Sequence, residues 1–547
     1  MPMRDGTILR ADVVRPQTTG RVPVILMMSP YPALVARMHL DHFRAVQDGF
    51  AIVAQSRRGT GASEGQFVPW RDEVSDGFDS VAWCASQPWS SGRVGTYGGS
   101  YLGQAQLYAA SAAPPALNAM VTMVVPSHPH EMTYEGGALQ LGSLLHWALG
   151  RAGDQIARLR AQNRSSELDA DWAAWMSAND RMDELVRTTP LRDMPVITKH
   201  FPSWRDWVDR PARDGWWASF DVGPRPAVPT LMTSGWWDLF LRGTLDEWSR
   251  EPRHPASRLI IGPWSHMNEG EAHGDINYGS TASAAAEDVT GQALQFLGHH
   301  LAGRPQADGP RVRLFVMGAN RWRDEETWPP SGVREQRMYF HEGSVLAPSP
   351  PANGIEPMHF DFDPLAPMPT VGGRNLIPGS GGSFLTGPVE QSRLDGRRDM
   401  LRFASEPLAQ DLLVVGNLSV TLHATTTAVD TDWTAKLVDV APDGRAFNVA
   451  DGIVRARFKS GGATPQLLTP GEVNRFEIDL AATATLFRAG HRLRVEVSSS
   501  NFPRFDRNPG TGTSSADTAE SAFVSSRQTV FLDSERPSWI TLPVLER

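Results

Sequence analysis

Val94-Gly95-Thr96-Tyr97-Gly98-Gly99-Ser100-Tyr101-Leu102-Gly103 runs from a short apolar strand through paired glycines onto a serine, then into an alanine-rich helix. The pattern is that of a nucleophile elbow. A tight turn between strand and helix admits only small neighbours, so the serine hydroxyl projects from the sheet and the following amide faces the same point. The match to G-x-S-x-G is imperfect, because the fifth position is Leu102 and the glycine follows at Gly103. Glycine–serine clusters also make ordinary turns, so the reading needs support from elsewhere in the chain.

Working outward, residues 22–28, 50–55, 94–97 and 120–125 read as short buried strands of a parallel sheet. Helical spacing of apolar residues over 73–86 and an alanine-rich run over 101–112 complete an alternating α/β pattern. After Pro126 the texture changes to long stretches without internal proline, 138–149, 154–162 and 167–186, which predict helices of an insertion. Strand patterns resume at 229–233 and 258–262. Beyond about residue 330, proline- and glycine-rich turns separate alternating strands at 418–424, 433–440, 475–480 and 491–498, with Asp443-Gly444 as a hairpin signal. The expected fold is therefore an α/β-hydrolase core with an inserted helical cap and a C-terminal all-β jelly roll. Its divisions are core 1–126, cap 127–226, core again 227–333, and β-sandwich 334–547. The glycine-rich stretch 372–387 reads as a mobile or interfacial loop.

Composition narrows the function classes. A chain of 547 residues holds about three folding units, by the usual ~100–200 residues per domain. With 61 acidic and 52 basic side chains the net charge is -9, and no long Lys/Arg cluster appears, which argues against nucleic acid or an anionic membrane as partner. The single cysteine, Cys84, makes no intramolecular disulfide and reads as a buried structural thiol. No apolar signal core or spanning stretch is present, which places the expected protein in the cytoplasm, and a homodimer is left open. His128-Pro129-His130 and His299-His300 lack an acidic or cysteine set to complete a metal site, so no metal or other cofactor is expected. Arg57-Arg58-Gly59-Thr60-Gly61 lacks phosphate-loop spacing and reads as a tight turn near the site.

In an open parallel sheet, reactive groups gather at the carboxyl ends of the strands. Four such ends here carry Tyr31, Ser100, Asp238 and His266. The order Ser, Asp, His is that of an α/β-hydrolase triad. A serine hydroxyl becomes a nucleophile only when an imidazole removes its proton, which is the role expected of His266, with Asp238 fixing the tautomer. Asp238 could alternatively cap a following helix. The developing oxyanion needs donors aimed at it beforehand: the Tyr101 amide supplies one. In Ser29-Pro30-Tyr31-Pro32 both prolines lack an N–H, so the Tyr31 phenol is the natural second donor. Eighteen tryptophans, several crowded between Trp147 and Trp264, suit either core packing or the wall of an apolar pocket.

These residues together resemble the cocaine esterase/Xaa-Pro dipeptidyl-peptidase family, the CocE/NonD acyl hydrolases. The likeness extends through Pro2-Met3-Arg4-Asp5-Gly6, Gly59-Thr60-Gly61-Ala62-Ser63-Glu64-Gly65, Gln87-Pro88-Trp89, the G-x-S-Y-x-G elbow, Gly235-Trp236-Trp237-Asp238 and Gly262-Pro263-Trp264-Ser265-His266. The resemblance implies an acyl pocket of Trp147 and Phe240, with Leu376 and Ile377 reaching in from the glycine-rich loop. Met132 stands where an aromatic residue is common, which implies a more adaptable pocket. Ser56 replaces a usual acid before Arg57.

Relatives that take amino-acid esters or dipeptides need carboxylates for the substrate ammonium, which cannot be desolvated unpaired. Asp238 is followed by Leu239-Phe240-Leu241-Arg242, with no acid, and Asp246 and Glu247 read as a solvated helix face. The expected activity is hydrolysis of a small-molecule carboxylic ester with an uncharged, fairly bulky acyl group. Two alternatives stand beside it. One is a peptidase or amide acylase with Glu135 holding the amine, and the other is a non-catalytic protein binding through its β domain.

Overall fold

The computed structural model describes residues 1–32, 39–223, 225–305, 308–377, 386–462 and 464–546. Among these, the α/β stretches on both sides of the insertion contribute to one nine-stranded sheet. Its strands are β1 (Ala11–Val14), β2 (Val22–Ser29), β3 (Ala51–Ser56), β4 (Ser90–Gly99), β5 (Leu117–Met123), β6 (Thr230–Trp237), β7 (Arg258–Ser265), β8 (Val312–Val316) and β9 (Arg321–Glu325), in the spatial order β1-β3-β2-β4-β5-β6-β7-β8-β9. The strands from β3 to β8 pair in parallel, and the edges β1 and β9 are antiparallel. Strand β2 shows why the sheet is covered on both faces. Val24, Leu26 and Met28 enter one apolar cluster with Val81, Cys84 and Ala105, whereas Ile25 and Met27 enter another with Leu294 and Leu297. Helices Glu73–Ser86 and Tyr101–Ser111 cover the first face and Val289–Ala302 the second. Cys84 is buried, as expected.

The expected strands are present, with β3 shifted by one residue, β5 starting three residues earlier and ending two earlier, and β4, β6 and β7 longer because they continue into their glycine and tryptophan motifs. The insertion departs further from expectation. Residues 138–149 and 154–162 are not two helices: Ala138–Leu139 pairs with Tyr134–Glu135 as a small hairpin, and one helix runs Leu141–Gln162. Two internal glycines, Gly150 and Gly153, cost helix propensity of about 1 kcal/mol each. Packing overrides that cost, since a Cβ at Gly153 would lie 2.4 Å from the Trp175 ring. The stretch 167–186 forms Ser166–Asp180 and Met182–Leu185, divided at Arg181, whose φ of -112° and ψ of 41° leave the helical region.

The C-terminal strands, from Val333–His341 to Trp539–Leu545, form an eleven-stranded assembly among the described residues. It is the jelly roll, closed around Phe340, Phe403, Trp433, Leu437 and Ile478. Asp443-Gly444 turns the hairpin between Asp432–Val440 and Ala446–Arg455, with the Ala441 amide donating to the Arg445 carbonyl at 2.8 Å. Gly373 and Gly387 exchange backbone hydrogen bonds of 2.8 and 3.0 Å. Of the glycine-rich loop between them, residues 378–385 lie outside the described residues.

Candidate active site

The elbow is built as its sequence requires. Ser100 sits between β4 and the helix Tyr101–Ser111 with φ 57° and ψ -127°, a strained backbone for a residue with a side chain. Its amide donates to the Met123 carbonyl at 2.9 Å. At Gly98 (φ 149°) a Cβ would stand 2.6 Å from that of Leu102, so only glycine lets the helix double back so closely. The buried Gln106 amide locks the turn, donating to the Gly98 and Val121 carbonyls at 3.0 Å each.

Asp238 and His266 follow the adjoining ends of β6 and β7. The register between these strands shifts around Gly235 and Trp237, a bulge that re-aims the chain beside the site. His266 Nδ1 lies 2.6 Å from Asp238 Oδ2, and His266 Nε2 lies 3.0 Å from Ser100 Oγ. A carboxylate can only accept, so Nδ1 carries the proton and Nε2 is left to accept from the serine hydroxyl. Asp238 is fully buried, and its Oδ1 accepts from the Phe240 amide at 2.7 Å. The capping reading of Asp238 does not hold, because the next helix starts only at Leu241 with Phe240 as its N-cap and no side-chain cap; one Asp238 oxygen instead shapes the turn before that helix and the other meets the histidine.

The Tyr31 amide donates to Ser29 Oγ at 3.1 Å, and the side-chain polar group of this residue is its phenol. Its oxygen accepts from the Trp147 indole at 3.1 Å. Tyr101 opens the elbow helix, where the first amides have no intrahelical acceptor. Its ring stacks on Trp147 with centroids 6.0 Å apart. Its hydroxyl donates to Glu73 at 2.9 Å and accepts from the Trp70 amide at 3.1 Å. Burial pushes the Tyr101 phenol well above its ordinary range, so it stays protonated.

Glu73 and Trp70 were not legible as site residues, because only the folded chain brings them beneath Tyr101. One hint existed in the missing acid at Ser56. Arg57 finds its counter-ion instead in Glu73, from the first turn of the helix Glu73–Ser86, and also donates to Gln55 at 3.2 Å.

The residues implied for the acyl pocket divide into groups. Trp147 adjoins Tyr31 and Tyr101. Phe240 stands edge-on to His266, with centroids 5.2 Å apart, and with Met132 lines a cavity of about 210 Å³. Leu376 donates its amide to Ser143 Oγ at 3.2 Å, and Ile377 packs where a Gly142 side chain would stand. Both therefore meet the first turn of the cap helix. Glu131 and Glu135 also line the cavity, but Glu131 pairs with Arg213 at 3.3 Å and Glu135 with Arg504 at 3.0 Å. Glu247 corrects an expectation: it is buried and paired with Arg225 and Arg250, whereas Asp246 is exposed. His128 accepts from the His130 amide, and His130 lies 3.1 Å from the Pro211 carbonyl.

An α/β-hydrolase sheet with a serine, an imidazole and a carboxylate in hydrogen-bonded sequence defines a serine hydrolase. Comparison with known proteins makes this specific. Residues 5–268 match the X-Pro dipeptidyl-peptidase (S15) family, and residues 306–541 match the X-Pro dipeptidyl-peptidase C-terminal non-catalytic domain. A cocaine esterase from Rhodococcus sp. (strain MB1 Bresler) is 34% identical over 569 residues, covering 100% of this chain and 98% of that protein. Two solved structures are similar at 26% identity. An aminopeptidase from a marine sediment Thaumarchaeota archaeon has a TM-score of 0.82 and covers 100% of this chain and 95% of its own. An α-amino acid ester hydrolase has a TM-score of 0.79, covering 99% of this chain and 95% of its own. The chain belongs to the cocaine esterase/X-Pro dipeptidyl-peptidase family of serine acyl hydrolases, enzymes of ester or peptide cleavage. No described helix is long and apolar enough to cross a membrane.

Proposed function

We propose that the enzyme is a carboxylesterase for small-molecule esters with an uncharged, bulky acyl group. Ser100 is the nucleophile of this reading. His266 takes its proton as Oγ attacks the ester carbonyl, and Asp238 stabilises the resulting imidazolium. The Tyr101 amide and the Tyr31 hydroxyl receive the oxyanion. His266 then protonates the leaving alkoxide, and a water deprotonated by His266 releases the acid from Ser100. Trp147, Phe240, Met132, Leu376 and Ile377 shape the acyl side. The division into core (1–126 and 227–333), cap (127–226) and β domain (334–547) belongs to the same proposal. It is supported by the helices that fill the insertion and by the strands that begin at Val333.

The observation that favours an uncharged acyl group over an amino-terminal one is the pairing of Glu131 and Glu135 with arginines. A substrate ammonium entering beside Phe240 would meet carboxylates already neutralised, and would lose its hydration without gaining a free counter-charge. The test compares p-nitrophenyl esters of graded acyl size with an Xaa-Pro p-nitroanilide. Ester turnover with anilide cleavage near background is expected. Efficient anilide cleavage would make the peptidase reading the correct one.

A further inference from the structure

Tyr31 is gripped by two side chains one turn apart on the cap helix Leu141–Gln162. Besides the Trp147 indole on its hydroxyl, the Arg151 guanidinium lies over its ring, 4.6 Å from the centroid, and donates to the Pro30 carbonyl at 2.8 Å. Trp147 is itself fixed. It stacks on Tyr101 and on Trp207, with centroids 6.0 and 5.7 Å away, and meets the edge of Phe201 at 5.5 Å. Arg151 is steadied by Asp154 at 2.7 Å.

An indole N–H can only donate, so the Tyr31 oxygen acts here as acceptor and its own proton is directed away from Trp147. Donation into the phenol oxygen, with a cation over the ring, draws electron density from the O–H and makes it a stronger donor to an anion. We propose that Trp147 and Arg151 are positioning residues for the oxyanion-binding phenol. The cap helix then aims and polarises the Tyr31 hydroxyl, and takes part in the chemical step as well as in shaping the acyl pocket. The inference rests on the reading of Tyr31 as oxyanion donor.

A role as pocket wall and a role in aiming Tyr31 leave different kinetic marks. Acylation and deacylation both pass through an oxyanion, so loss of aim lowers kcat whatever the acyl group. Loss of a wall raises KM, and more so for larger groups. The experiment measures kcat and KM for p-nitrophenyl acetate and benzoate with Trp147→Phe and Arg151→Met, each alone and combined with Tyr31→Phe. Thermal melts accompany the kinetics. Trp147→Phe is expected to lower kcat about tenfold for both esters with KM little changed, and Arg151→Met to lower it about three- to tenfold. Both losses should vanish in the Tyr31→Phe background, because nothing is then left to aim.

Losses that persist there, or that appear in KM and grow with acyl size, would overturn the inference and leave Trp147 a pocket wall. Should Trp147→Phe melt early, the Arg151→Met cycle decides alone. An unchanged kcat for Tyr31→Phe by itself would defeat the oxyanion reading and this inference together, whereas a loss in Tyr31→Phe without coupling defeats only the inference.

Discussion

The catalytic end of the core sheet and the junction of cap with β domain both rest on buried charge, yet they organise it differently. At the sheet end, one carboxylate, Asp238, is satisfied by the Phe240 amide and His266, and the line continues to Ser100. Backbone turns and a bulge hold that line, so little of the fold's stability depends on it. At the junction, Arg455 donates to Asp432 at 2.8 and 2.8 Å and to Asp506 at 2.9 and 3.1 Å, and Asp506 in turn accepts from the Leu139 amide of the cap hairpin. Arg504 repeats the device between Glu135 and Asp451. Such pairs hold only while complete, because removing one partner strands the other without water. The site is therefore fragile in chemistry and the junction in stability.

Single substitutions should separate the two properties. Ser100→Ala should lower ester turnover by about 10⁴-fold or more with an unchanged melting curve. Retained hydrolysis would move the nucleophile elsewhere. Arg455→Met should do the reverse: about 3–5 kcal/mol of stability lost in urea titration, with kcat per folded molecule preserved. If activity falls and stability does not, the division of labour is wrong. Tyr31→Phe should lower kcat roughly 10²–10³-fold, equivalent to about 2.7–4 kcal/mol, with stability near that of the parent. The smallest effect is expected from Phe240→Ala, which removes the ring beside His266. Its KM for a benzoyl ester should rise by about tenfold or less, and by less still for an acetyl ester.

The two regions also differ in how far the sequence announced them. The sheet end was legible because its chemistry is encoded locally: Gly98-Gly99-Ser100 makes its own turn, and Asp238 and His266 each follow a strand within a few residues. Ser29-Pro30-Tyr31-Pro32 pointed to the phenol because the prolines on either side of it have no amide N–H. The cap was less legible. The division between 149 and 154 looks like a helix break until Trp175 is found in the space that Gly153 leaves, and that contact joins two helices. Glu73 beneath Tyr101, Glu247 against Arg225 and the Trp147–Tyr31 hydrogen bond all join residues distant in sequence. No periodicity encodes such contacts. The pairing of Glu135 with Arg504 is equally remote in sequence, and the peptidase alternative, which would have Glu135 hold an amine, could not register it from sequence.

The proposed chemistry stands on the activation of Ser100 by His266 and Asp238. Its most direct test is covalent labelling with a p-nitrophenyl phosphonate, followed by peptide mass spectrometry and an ester hydrolysis assay. One adduct per chain is expected on the peptide holding Ser100, with hydrolysis lost in step with labelling, no adduct in Ser100→Ala and much slower labelling in His266→Ala. An adduct on another residue, or full activity in the labelled protein, would contradict it.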